Sequence, residues 1–203
     1  MCHLIHVLND FIAAHQISDA ALEYKWRGHD AASTDLQFAR FHRNLSMAVD
    51  NRDRKKVRDC VIKIVHNWGG IGNYQGLANR YPDLLLNLDE DNPVGSKDET
   101  PLSSWSKVLA AYDPDRFSIY DTRVAVALRV LIPDFRCFLP PARGCRETLI
   151  RHLGRAGQLS QQESYTRYME LLRETGDALG YERKLFMLGG LLRLDTATNT
   201  III

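Results

Sequence analysis

The sequence predicts an all-α fold, a compact array of about nine or ten helices. Apolar residues recur at helical spacing along most of the chain, and no stretch sustains the apolar–polar alternation of a half-buried strand. Capping residues, glycines and prolines punctuate the pattern at helix-length intervals. With 203 residues the chain is most simply one helical domain over 1–203. The alternative is two lobes, 1–100 and 101–203, with a cleft between them.

The elements follow in order. Helices are predicted over Leu4 to Gln16, Asp19 to Trp26 with Ser18 as cap, and Thr34 to Val49. From Asp50 to Trp68 the apolar residues Val57, Cys60, Val61, Ile64 and Val65 fall on one face. Arg52, Arg54, Lys55, Lys56, Arg58 and Lys63 fill the rest, and Gly69-Gly70 stops the helix. "GNYQGLANRYPDLLLNL" reads as short helical pieces broken at Tyr81-Pro82. The polar stretch Asp89 to Thr100 reads as a loop. After the proline-bounded connection "IPDFRCFLPPARG", helices are expected over Cys145 to Arg155, from the capping box Ser160/Glu163 to Glu174, and over Asp177 to Leu192. The final "TATNTIII" is a tail or a short docking strand.

Composition excludes several function classes. Hydrophobic content of 45% and charged content of 25% are those of an ordinary soluble chain rather than a disordered one. At a formal net charge of +1, any nucleic-acid partner must be held by a local basic face. Arg143, Arg146, Arg151 and Arg155 around one helix offer such a face. Cys2, Cys60, Cys137 and Cys145 form no CxxC pair and do not cluster with histidines, so no metal or cofactor is expected, and a reduced cytoplasmic setting fits best. The opening "MCHLIHVLNDFIAAHQ" has neither a basic leader nor a long apolar run, so no membrane span is expected there.

The stretch "SSWSKVLAAYDPDRFSIYDTRVAVAL" concentrates the chemistry. Pro101 and Ser103 suit a helix start, which places Lys107 in the first turns of a helix carrying Leu102, Trp105, Val108 and Leu109. That helix must end near Tyr112, because Asp113 directly precedes Pro114. Asp121 precedes the apolar "TRVAVALRVL" and can cap the amides of Arg123 or Val124. Helix starts carry unpaired amides and partial positive charge, so an amine and a carboxylate at two successive starts are both open to tuning. The bland reading is a surface lysine and an ordinary cap.

A lysine-bearing helix, a proline-containing loop, then "SIYD" opening an apolar helix resembles the helix-hairpin-helix DNA glycosylase superfamily. Within it, the resemblance is to the bacterial proteins with the 8-oxoguanine DNA glycosylase (OGG) fold, and it covers about Pro101 to Leu131. The resemblance implies that Lys107 is the nucleophile and Asp121 its ionised partner. Lys107 would attack the anomeric carbon as a neutral amine, its pKa lowered from about 10.4, and base departure would leave a Schiff base open to strand-cleaving elimination. The target nucleotide must be extruded, since that carbon is inaccessible in a stacked duplex. Where the family has a glycine-rich hairpin turn this chain has "TPLSSWSK", so the Ser103 and Ser104 hydroxyls stand in for phosphate contacts. Trp105, with Trp68, Tyr112 and Tyr120 behind it, is a candidate for stacking on a base, and Arg123 for reaching a phosphate.

The function this implies is a nucleobase-excising glycosylase, with or without an associated lyase activity, on DNA before RNA. Such bacterial relatives are associated with anti-phage operons, so products of a neighbouring defence operon are implied partners. The alternatives are a catalytically inactive binding module for nucleic acid or a modified base, and a structural helical partner protein. Under the enzyme reading, Lys107 and Asp121 are expected to line one groove.

Overall fold

Helix limits follow the caps. Ser18 Oγ accepts from the Ala21 amide at 3.3 Å, Asp30 Oδ1 from Ser33 at 2.8 Å, and Asp53 Oδ1 from Lys56 at 3.0 Å. Ser160 and Glu163 complete the expected capping box, and each such bond satisfies an amide the helix itself leaves free. The computed structural model describes residues 3–72, 75–89, 93–94, 101–141, 145–154 and 157–203. Most of the expected loop Asp89 to Thr100, and both Arg143 and Arg155 of the expected basic face, lie outside them.

The described chain is mostly helical. The α-helices are α1 (His3–Ala14), α2 (Asp19–Leu22), α3 (Ala31–Asp50), α4 (Arg54–Ile62), α5 (Gln75–Leu86), α6 (Leu102–Tyr112), α7 (Thr122–Leu131), α8 (Cys145–Leu153), α9 (Gln161–Glu174) and α10 (Ala178–Leu191). A π-helix, Lys63–Trp68, continues α4, and a 3-10 turn, Pro133–Phe135, follows α7. Strands β1 (Arg193–Asp195) and β2 (Thr200–Ile202) form an antiparallel hairpin with Leu194 opposite Ile201.

Four elements depart from the sequence reading. The helix expected over Asp19 to Trp26 ends at Leu22, where Glu23 turns extended, and Trp26 pairs with His29 in an isolated bridge. The chain does not break at Tyr81-Pro82: α5 runs through Pro82, with Tyr81, Pro82 and Leu85 all buried. A mid-helix proline costs about 3 kcal/mol in a lost bond and a clash, and here apolar burial along the α4–α5 contact offsets it. The expected Asp50–Trp68 helix is two elements and a turn: Arg52 has a left-handed φ of 49°, α4 starts at Arg54 behind the Asp53 cap, and the last six residues widen into the π-helix. Its stop is where the glycines predict it, with the Gly69 amide bonding Ile64 O at 2.8 Å and Gly70 at φ 71°. The tail is a strand, but its partner is the segment directly after α10.

By internal contacts the chain divides into two units, one of Met1–Lys25 with Tyr120–Ile203, the other of Trp26–Ile119. In the first, α7 is the central helix, with Val124 to Leu128 wholly buried, and α10 and α1 pack on it. Gly189 makes the α7–α10 approach possible, since a Cβ there would collide with the Arg123 carbonyl oxygen. In the second unit α6 holds that place. It packs on α3 and on the π-helix, with Leu102, Trp105, Val108 and Leu109 in the core.

Candidate functional site

Lys107 stands in the second turn of α6 and is only 5% exposed. The sequence reading of an open helix start, where a lysine would be solvated, does not hold, because α6 is buried on nearly every face. Its Nζ donates to the Ser103 carbonyl oxygen at 2.7 Å, and Ser103 Oγ lies 3.5 Å away. The aliphatic stem passes over Gly69, its Cδ 3.1 Å from where a Cβ on that glycine would stand. The bare Cα at the end of the π-helix, whose i→i+5 bonds widen the turn, therefore leaves room for the lysine stem.

An aromatic cluster adjoins this glycine. Trp68, one residue before it, is 5% exposed. Its ring meets Phe38 of α3 edge to face, with centroids 4.8 Å apart, and Trp26 at 6.4 Å. Trp26 Nε1 donates to the Trp68 carbonyl oxygen at 3.1 Å, tying the chain before α3 to the π-helix end. His66 bonds the Ile71 carbonyl oxygen through Nδ1 at 3.1 Å. Sequence spacing missed the pairing itself: the Gly69-Gly70 pair was readable as a helix stop but not as a neighbour of the Lys107 stem.

Asp121 caps α7 as expected. Its Oδ1 accepts from the amides of Arg123 at 2.9 Å and Val124 at 3.2 Å. Among the described residues no hydrogen bond uses the other oxygen, and the residue is partly exposed. The preceding Tyr120 is wholly buried, donates to the Phe138 carbonyl oxygen at 2.7 Å, and meets Tyr168 edge to face at 5.3 Å. Burial holds the Tyr120 and Tyr168 phenols well above the ordinary tyrosine range. They fix the backbone path into the cap.

The remaining predicted contacts separate. Ser103 stays with Lys107 and is partly exposed. Ser104 is buried, its hydroxyl sharing a 2.5 Å bond with Tyr81 and donating to the Pro101 carbonyl oxygen at 2.9 Å. Trp105, expected to stack on a base, is instead a core side chain, 1% exposed, with Nε1 donating to the Pro93 carbonyl oxygen and its ring 5.0 Å from Tyr81. Neither has a surface to offer nucleic acid, because both point into the apolar interior beside Tyr81. Arg123 lies over the Phe186 ring at 4.5 Å, and burial, then the charge of Arg146, lowers its pKa. Its backbone serves the Asp121 cap while its guanidinium packs on α10.

Lys107 and Ser103 belong to the unit Trp26–Ile119, and Asp121 and Arg123 to the other. Among the described residues no group of His, Cys, Asp and Glu is placed to hold a metal ion, and no helix is long and apolar enough to cross a membrane. Compared with known proteins, the chain matches no family model and shows no significant similarity to a curated protein or a solved structure.

Proposed function

We propose that this protein is a nucleobase-excising glycosylase acting on nucleic acid, DNA before RNA, with Lys107 as nucleophile and Asp121 as the carboxylate that meets positive charge on the sugar. The observation that carries the reading is the burial of Lys107. Lysine is almost never fully buried, and removing an ammonium from water is costly. A cost kept inside a core helix is what a reactive amine requires, since an amine out of water is more easily held neutral. The helix-hairpin-helix resemblance of Pro101 to Leu131 supplies the reaction class, and the one-oxygen cap at Asp121 agrees with it.

In the proposed reaction the Lys107 nitrogen bonds to C1′ of an extruded nucleotide and the C1′–N bond to the base breaks, the base leaving with the bonding pair and taking up a proton. Asp121 stays ionised and stabilises the charge developing on the sugar. Loss of the amine proton and opening of the sugar ring give an imine. Elimination then breaks the C3′–O bond, which is the lyase step. A role in anti-phage defence is the biological setting this resemblance favours.

Borohydride tests the reading. The imine should be reduced to a permanent crosslink between the chain and an oligonucleotide bearing an abasic site. Lys107→Met should abolish the crosslink while leaving the melting temperature equal or higher, because a methionine fills the same volume without a charge to desolvate. A crosslink that persists in the variant would refute Lys107 as nucleophile. No crosslink, together with a large loss of stability in Lys107→Met, would make Lys107 a structural donor to Ser103.

A further inference from the structure

Strand β2 has an outer edge that the rest of the described chain leaves open. The hairpin is fixed on its inner side: Arg193 Nη1 donates to the Gly190 and Leu192 carbonyl oxygens at 2.6 and 2.8 Å, and β1 packs on α8. Asp195 closes the turn, accepting from the Ala197 amide at 2.9 Å and the Thr198 hydroxyl at 2.8 Å. β2 pairs with β1, and among the described residues no backbone hydrogen bond joins Thr200, Ile201 or Ile202 to any other element. Two of the large apolar side chains left exposed stand on this strand or directly after it, Ile202 at 46% and Ile203 at 44%.

A strand edge with free N–H and C=O groups is a template for another strand, and natural chains blunt such edges with a lysine, a proline, a bulge or a covering element. β2 carries no lysine and no proline, and its ladder with β1 runs without a bulge. Thr200, Ile201, Ile202 and the following Ile203 are all β-branched, the type that favours extended pairing, and none is charged. Lack of charge makes the strand complementary to itself. Antiparallel pairing of β2 with its own copy, about a two-fold axis at Ile201, sets Ile201 opposite Ile201 and Thr200 opposite Ile202, so no like charges meet. Leu194 already lies opposite Ile201, both half-buried, so one face of the enlarged sheet carries a continuous apolar row of these two residues and their copies. Any extended segment supplies hydrogen bonds to a free edge; a second copy also supplies the matching row, from both sides at once.

We propose that β2 is a dimerisation edge, pairing antiparallel with β2 of a second copy of this chain to give a four-stranded sheet in the order β1, β2, β2, β1. A two-stranded hairpin is marginal in water, and the pairing enlarges it. Three paired residues a side bury far less than the roughly 1,200–2,000 Å² of a stable complex, so the dimer is weak and forms at high chain concentration. It does not depend on the glycosylase reading.

Sedimentation equilibrium on the full chain tests the pairing. The mean mass should rise from 23.2 kDa toward twice that value between about 10 and 500 µM, the range of a small interface. Ile202→Lys, an edge-protecting change at an exposed position, should weaken the dimer by about tenfold or more and leave the melting temperature of the dilute monomer unchanged. Ile202→Val should leave dimerisation as it is. Crosslinking reads the register. With Ile201→Cys, mild oxidation should join two chains, since residues directly opposite stand about 4.5–5.5 Å apart between Cα atoms. Ile203→Cys should crosslink no more than the unchanged chain, because its two copies lie about 13 Å apart along the strands. A mass that stays at 23.2 kDa over the whole range would overturn the proposal. So would a dimer indifferent to Ile202→Lys, or crosslinking through Ile203→Cys in preference to Ile201→Cys.

Discussion

At the residue scale, Asp121 divides its work between two oxygens. Oδ1 holds the amides that open α7, and no hydrogen bond among the described residues uses Oδ2. Asp121→Asn keeps a capping oxygen, so unfolding free energy should fall by no more than about 1 kcal/mol, whereas Asp121→Ala should cost about 1–2 kcal/mol by denaturant titration. If the carboxylate also serves the reaction, Asp121→Asn should slow base release by about a hundredfold or more in single-turnover assays, out of proportion to its small effect on stability. Equal small effects on both would reduce Asp121 to a cap. The cap was legible because it is a bond between neighbours in sequence. The burial of Lys107 was not, because nothing within a turn of it reveals that α6 is enclosed on nearly all sides.

At the scale of the helices, the approach of α10 to α7 depends on one missing side chain. A Cβ on Gly189 would collide with the backbone of α7 at Arg123, where nothing can yield without parting the two helices. Gly189→Ala should therefore destabilise the protein by about 3 kcal/mol. Its neighbour is a built-in control: a Cβ on Gly190 would stand 3.4 Å from the flexible Arg123 guanidinium. Gly190→Ala should be neutral or stabilising by up to about 1 kcal/mol, as expected for removing a helical glycine. Paired denaturation curves check this, and similar losses for both would refute the backbone collision. The same dependence on partners explains Pro82 and the π-helix. Proline and the regular apolar stripe predicted a break and a plain α-helix; packing on α4 and α6 decided otherwise.

For the whole molecule, both units carry phenols that burial resists ionising. Tyr81 lies in one unit, Tyr120 and Tyr168 in the other, and all three are held above the ordinary value near 10. The unfolded chain loses these protons at about pH 10 while the folded one retains them, so above that pH the native state binds more protons and stability falls as pH rises. The contribution is intact below about pH 10. Burial raises the Cys60 and Cys137 thiols too, which starts the decline somewhat earlier, near their ordinary 9. Melting temperature should be insensitive to tyrosine ionisation through neutral pH and drop steeply above about pH 10. Of the eight tyrosines, these three should ionise only as the protein unfolds, followed by phenolate absorbance. Early ionisation of all eight in the folded protein would contradict the packing.

What the sequence by itself determined is local: the mostly helical character, the Ser18 and Asp121 caps, the Ser160/Glu163 box, and the stops at Gly69-Gly70 and Tyr112. Each depends on atoms within one turn of the same chain, so residue spacing carries it. Only tertiary structure decided which polar groups lost their water. It enclosed Lys107, Ser104 and Trp105 in one core and carried α5 through its proline. Those outcomes belong to pairs such as Gly69 with Lys107, or Phe38 with Trp68, that are far apart along the chain, and burial energy is set by the partner rather than by the residue alone.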